Sequence, residues 1–537
     1  MKISRRKWVI GILVIGLAAW YVWTQHRMGV PEDFADQQTQ FKYGSIGTDR
    51  LMALAPVPYW IWRVLPQMFP PSKVIKADFG PTNDLPGYEA FGLVYEDKDQ
   101  VKRPRGGGPG LTVFERPIGL SKRTTFGVDT VGVNCSFCHT TVLRRSADDP
   151  KPMIIPGGTG NTVDIEKYML YLFAAVGNPG FTTSAVMREI VKVNPEMGFI
   201  ERAAYRLLIP IVKHKVGKLL PNFDFIDPAK PDRLPKFGPG RVDTWAAYKR
   251  IFMDPPQLDA QGGNPHNKLH GVADFPPIWN QQARLGDRLH WDGNTNVLEE
   301  RNIISALALI GPRLEYMDLE RLRRVTDYTM GLLPPRYNDL SPYRYVNKDD
   351  AETKAAEIQQ RFDDITAGRV VFENRCAGCH SPNGFRVGRV EFLELGQATE
   401  PERARAFTHD LADALNKLGT SAWKLRDFKP QEGYANLLLD GVWLRAPYLH
   451  NGSVPTLVDL LKHPDDRPKR FCRGNDVFDW DKVGFVSEPI TEPGKPPCGQ
   501  HFLFETKWPG NGNQGHLFGT DASQEQKRQL IEFLKTL

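Results

Sequence analysis

Apolar residues return at intervals of three and four from Ile165 to Val176 (IEKYMLYLFAAV), from Asn296 to Ile310 and from Asp318 to Met330, the spacing of helices that bury one stripe. Ala351 to His380 predicts a longer helix. Near the C-terminus, Ser523 with Gln526 forms a capping-box pattern before a helix whose stripe is Leu530, Ile531, Leu534 and Leu537. Pro70-Pro71 and the run Gly106 to Gly110 read instead as loops, so regular structure is expected to be sparse before residue 130. One stretch is apolar all round. Trp8 to Thr24 carries no charge over seventeen residues and follows Lys2, Arg5, Arg6 and Lys7; as a helix it would reach about 25 Å. This pattern predicts a transmembrane signal anchor at 8–24, with 1–7 cytoplasmic and the body on the periplasmic side of the inner membrane. The alternative is a cleaved signal peptide, with Gly16 and Ala18 at the cut, which leaves the body periplasmic or secreted.

A chain of 537 residues exceeds what one core usually serves, and 41% apolar with 25% charged residues excludes intrinsic disorder. The net charge of +6 comes without a long basic run, which argues against a nucleic-acid partner. Six cysteines are too few for a disulfide scaffold, and four of them fall in two identical patterns.

Cys135-Ser136-Phe137-Cys138-His139 and Cys376-Ala377-Gly378-Cys379-His380 both spell C-x-x-C-H. In c-type haem attachment the two thiols add to the porphyrin vinyl groups and the next imidazole binds iron. A zinc site would not need His at the same offset twice, and a redox dithiol needs no His after its second Cys. Two covalently bound haem c groups are therefore the expected cofactors, with His139 and His380 as iron ligands. Cys472 and Cys498 enclose a Pro/Gly-rich loop, and in an oxidising compartment they are expected to form a disulfide. Gly157 to Thr162 (GGTGNT) resembles a phosphate cradle, but no βαβ pattern surrounds it, so a turn near the first haem motif is the better reading.

Pro334-Pro335 and Lys348-Asp349-Asp350 interrupt the helical pattern. The expected organisation is a juxtamembrane, loop-rich segment at 25–129, a first haem domain at 130–345 and a second at 346–537.

From about residue 130 onward the chain resembles the bacterial di-haem cytochrome c peroxidase superfamily. This includes the tryptophylquinone-maturing enzyme and the rubber-cleaving di-haem oxygenases. The resemblance rests on Leu289-His290-Trp291-Asp292-Gly293 and on Arg445-Ala446-Pro447-Tyr448-Leu449-His450-Asn451-Gly452-Ser453. Pro509-Gly510-Asn511-Gly512-Asn513-Gln514-Gly515-His516 and the long loops around Phe471 to Phe485 tilt it toward the rubber-oxygenase-like branch. It implies a mainly α fold of two cytochrome c-like domains with long loops, here preceded by one transmembrane helix. Peroxidases of the superfamily carry a Met ligand where this chain has Pro464, so His516 becomes the candidate distal ligand of the second haem.

The resemblance also places Trp291 between the haems as a mediator of electron or radical transfer; an ordinary buried aromatic is the plain alternative. Glu299 or Glu300 is a candidate distal acid or base for peroxide chemistry, although acidic residues also suit a helix N-terminus. Arg445 is a candidate partner for a haem propionate. Any inter-domain calcium has no recognisable ligands. The expected function is a membrane-anchored periplasmic di-haem cytochrome that transfers electrons and acts on peroxide or dioxygen at the first haem, served by a redox partner protein or respiratory-chain donor. The alternative is a pure electron carrier with both irons six-coordinate.

Overall fold

The computed structural model describes residues 29–537 apart from internal stretches, of which 51–56, 76–84, 97–114, 227–235, 342–350, 394–399 and 490–496 are the longer. Helices dominate it, joined by small antiparallel sheets. The periodic segments form helices at Ile165–Gly177, Leu298–Ile310 and Leu319–Gly331; Asp164 and Asp318 cap the first and third by accepting the backbone N–H groups of Lys167 and Arg321. The capping box of Ser523 and Gln526 opens the helix Gln524–Leu534. That helix crosses Ala351–Arg375 at Gly368, where a Cβ would collide with the Gln529 carbonyl, so glycine permits the close approach.

The expected transmembrane helix at 8–24 lies outside the described residues. Among the described residues no helix is long and apolar enough to cross a membrane. The two longest fail on polarity: Phe199–Leu219 carries Glu201, Arg202, Arg206, Lys213, Lys215 and Lys218, and Ala351–Arg375 is studded with charge. The expected fold, led by a membrane-spanning helix, is corrected to a mainly helical body with small sheets. The single-pass anchoring to the inner membrane is withdrawn with it.

The segment before residue 130 is also more regular than its composition predicts. Tyr59–Met68 is a helix that buries Tyr59, Ile61, Trp62, Val64 and Leu65, and Trp62 stacks on Tyr88 with ring centroids 4.3 Å apart. A four-stranded antiparallel sheet runs in the order 30–31, 120–125, 128–133, 57–58. Its outer strands have two residues each, too short for an alternating pattern to be read.

Three apolar clusters fill most of the interior. The first gathers the aromatic groups around Trp62, Tyr88, Phe137 and Tyr171, and Cys138 packs against it. A second lies around Trp245, Ile304, Leu307 and Phe407, with Cys135 against it. The turn Cys135–Cys138 therefore sits where these two meet. A third cluster joins Leu143, Ile155 and Trp279 to Phe372, Trp443, Trp480 and Leu530, with Cys376 and Ala377 on its edge. The expected boundary at 345 falls in the stretch outside the described residues.

Candidate functional site

The strand Val128–Val133 delivers Asn134, whose side chain accepts from the Ser136 N–H at 3.0 Å and donates to the Lys42 and Gly44 carbonyls. This cap fixes the turn Cys135–Cys138. His139 follows, and its Nδ1 donates to the Pro276 carbonyl at 2.8 Å, which leaves Nε2 as the lone-pair nitrogen. Burial, with the charge of Arg301, pushes this ring down to about 4 and keeps it neutral. The Gly157 N–H donates to the His139 carbonyl at 2.8 Å, and Gly160 faces the Cys138 carbonyl. The Gly-rich turn thus lies against the attachment turn.

The second motif caps the long helix Ala351–Arg375, and His380 closes the turn Ala377–His380. Its Nδ1 donates to the Leu437 carbonyl at 2.7 Å. Arg445 lines the same cavity and donates to the carbonyls of Leu438 at 2.8 Å and Asp440 at 2.9 Å, so it braces the segment that orients His380. Burial and the neighbouring Arg284 push the Arg445 guanidinium down to about 9, an environment that a nearby carboxylate would relieve. The four motif cysteines form no disulfide, and burial raises Cys135 and Cys376 to about 11.

Opposite His380 stands His516, with ring centroids 6.2 Å apart and planes 34° from parallel. Both rings line a cavity of about 240 Å³ together with Cys376, Cys379, Trp291 and Leu530. Two metal–imidazole bonds of about 2 Å each, plus the ring radii, span roughly this separation. Burial and the nearby His380 push His516 down to about 4, and its Nδ1 has no hydrogen-bond partner. A neutral, half-buried imidazole facing a second one across an apolar cavity beside two cysteines and a helix fits an iron porphyrin.

The loop that carries His516 is held by its backbone. His516 itself has φ 55°, in the left-handed region. Arg467 places all five of its N–H donors on main-chain carbonyls: Leu460, Lys462, Asn513, Gly515 and His516, at 2.6 to 3.1 Å. Asn451 adds bonds to the Gly510 and Gly512 carbonyls at 3.0 and 2.9 Å.

Trp291 joins the two halves of the site. Its ring lines the His380 cavity, and its Nε1 donates to the Asp274 carbonyl at 2.8 Å. Two residues on, Pro276 receives His139. The preceding residue, His290, takes φ 62° and turns the other way, bonding Asn294 at 2.8 Å and packing edge-on to Trp245. Asp274 is paired with Arg473 at 2.8 Å, and burial holds its carboxyl up at about 6.

The remaining candidates are placed otherwise. Glu299 is more than half exposed and pairs with Arg323 at 3.0 Å. Glu300 is buried but accepts the backbone N–H groups of Arg426 and Asp427 at 3.0 and 3.1 Å. Both carboxylates are thus engaged with the protein, and neither is placed as a distal acid. Cys472 and Cys498 are joined, with an S–S distance of 2.00 Å. Among the described residues no cluster of three or more His, Cys, Asp or Glu is arranged to hold a further metal ion. Arg301, Arg467 and Arg473 escape sequence reasoning. Arg301 is half-buried within electrostatic reach of Cys135 and His139, bonded to Gln281 at 2.6 Å, with its Nε unpartnered.

Residues 433–472 match the family described as RoxA-like, cytochrome c-like. That segment carries Tyr434, Leu437, Arg445 and His450, which line the cavity of His380 and His516, and Arg467, which clamps the His516 loop. The match supports a c-type cytochrome with covalently bound haem c and a capacity for electron transfer, related to the rubber-oxygenase-like di-haem cytochromes. The chain is 30% identical to the uncharacterised protein y4iM of Sinorhizobium fredii (strain NBRC 101917 / NGR234), over 49% of this chain and 64% of that one. It is 40% identical to the uncharacterised protein y4iJ of the same organism, over 38% and 42%. The chain thus spans less than two thirds of either relative's length.

Proposed function

We propose that this chain is a di-haem cytochrome c oxidoreductase. One porphyrin is held by Cys135, Cys138 and His139, and a second by Cys376, Cys379 and His380 with His516 as its distal ligand. With both groups held there, Trp291 would lie on the route of electrons between them, and peroxide or dioxygen would be the substrate at the first. The observation that carries the reading is the pair His380 and His516 facing each other across the cavity, with Trp291 tied from that cavity to the segment that orients His139.

When bound, the haem irons supply one-electron chemistry and, at an open coordination position, a place for an oxygen ligand. The protein does the rest. Pro276 and Leu437 fix the tautomer and the plane of the two proximal rings. Arg445 and Arg467 hold the backbone that aims His380 and His516. Arg301, within electrostatic reach of Cys135 and His139 and with its Nε unpartnered, would offer a charged donor to an anionic oxygen group there. Held by both His380 and His516, the second haem would have a lower potential than with a His/Met pair, which would suit it to donate electrons.

Intact mass of protein from a host with haem-attachment machinery is expected to show two porphyrins per chain, and carbon monoxide added to the reduced protein should perturb one haem only. A singly loaded chain would defeat the di-haem reading. Two inert low-spin haems would make the protein an electron carrier without substrate.

Arg467 tests the positioning of His516. Arg467→Lys keeps the charge but loses the planar five-donor fork. The second haem is expected to become a mixture of low- and high-spin forms, read in its absorption and electron paramagnetic resonance spectra. A spectrum identical to the parent's would remove Arg467 from this role.

A further inference from the structure

Glu400 stands between the cavity of His380 and His516 and an open groove on the surface. Its side chain is 11% exposed and helps to floor a groove of about 480 Å³ with Lys507, Trp508, Gly510, Gly512 and Gln514. On the inner side its Oε2 lies 3.9 Å from His450 Nε2. The His450 ring stacks on Tyr434 with centroids 4.1 Å apart, and both rings line the cavity. The Tyr434 hydroxyl donates to the Glu400 main-chain carbonyl and stands 3.1 Å from His450 Nε2. One carboxylate therefore has water on one side and, through two stacked rings, the cavity on the other.

We propose that Glu400 is a proton-uptake site coupled to reduction of the second haem, filled from the groove and linked to the cavity by His450 and Tyr434. The proposal rests on His380 and His516 being the ligands of that haem. For each electron delivered by a one-electron reductant, one proton leaves bulk water and bonds to a Glu400 carboxylate oxygen. No other bond is made or broken, and the net charge of the buried region is unchanged. An added negative charge in the cavity raises the proton affinity of a nearby carboxylate, and a low local dielectric strengthens the effect.

The groups around Glu400 decide which side chain titrates. Its carboxylate accepts the Glu402 N–H at 3.0 Å; Arg241 and Arg405 favour the charged form, while the Glu402 carboxylate opposes it. Burial outweighs these and holds Glu400 up at about 7. His450 faces Arg403 and Arg241 and is pushed well below its ordinary range by burial and by those charges. Tyr434, which also faces Asp292 and Arg403, is pushed well above its own. Lys507 lies in the groove. Of the three groups in the chain, the carboxyl is the one poised to exchange a proton near neutrality.

The test is a spectroelectrochemical titration of the low-spin haem in the full-length, haem-loaded protein, from mildly acid to mildly alkaline pH. Its potential is expected to fall by up to about 59 mV for each tenfold drop in proton concentration, the limit for one proton per electron. In Glu400→Gln, which is isosteric, the slope should flatten around neutrality while the low-spin spectrum is kept. An unchanged slope in that variant, or no slope in the parent, overturns the proposal. As a measurement free of any substitution, reduction in unbuffered solution with a pH dye, begun on the alkaline side of the Glu400 value, should consume up to one proton for the one electron that the second haem takes, and no uptake overturns it too. A parent protein lacking a low-spin haem would instead remove the ligation on which the proposal stands, and the spectrum identifies that case.

Discussion

Replacing His516 with Ala should convert the second haem from six-coordinate low spin to a high-spin or water-ligated form and leave the first haem's spectrum as it was. No neighbouring side chain stands ready to take over. His450 is stacked on Tyr434 and engaged there, and His463 is an exposed cap of the turn at Pro464. The loop itself should survive the change, because Arg467 and Asn451 bond its carbonyls rather than its side chain. The cut would therefore leave a ring-sized gap in an ordered wall. Free imidazole added to the variant should then restore the low-spin spectrum, an outcome that a collapsed pocket would not give. An unaltered spectrum in the untreated variant would eliminate His516 as a ligand.

The second large effect concerns stability. Arg473→Met should cost about 3–5 kcal/mol, because it strips the partner from Asp274 in a region where both side chains are almost wholly buried. Arg473 also donates to the carbonyls of Pro239 and Gly452 at 3.0 and 2.7 Å, so three segments lose a common tie. Burial already holds the Asp274 carboxyl up at about 6, above its ordinary range. A group raised in this way favours the folded state when protonated and loses that contribution as pH rises through its folded value. Without Arg473 the carboxyl rises further, so the deficit measured by chemical denaturation should be smaller at acid pH, where Asp274 is neutral, than at alkaline pH. Asp274→Asn in the same background should recover part of the loss. A deficit equal across pH would mean that the unpaired carboxylate is not its source.

Legibility differed by the kind of signal. The helices Leu298–Ile310 and Gln524–Leu534 could be read because periodicity and capping are local. The two C-x-x-C-H turns could be located because the pattern is local and its spacing fixed. Glu299 and Glu300 show where that ends. Adjacent residues on a helix point about 100° apart, so one reaches Arg323 in solvent while the other turns in to two backbone N–H groups. Nothing in their order says which. The arginines were less legible still, since Arg467 acts on main-chain carbonyls, which carry no residue identity, and Arg473 on a carboxylate distant in sequence. Tyr59–Met68 was hidden by its company: Pro66 lies within it and Pro70-Pro71 follow, and a proline-rich surrounding masks a good apolar stripe.

The clamped His516 loop also bears on the order of assembly. A nascent polypeptide presents Cys376, Cys379 and His380 well before the residues from Arg445 to His516 that will wall them in. For that interval the half-built cleft lies open on the side that the loop clamped by Arg467 later covers. On the proposed ligation, attachment of the cofactor would precede closure, with His516 as the latch.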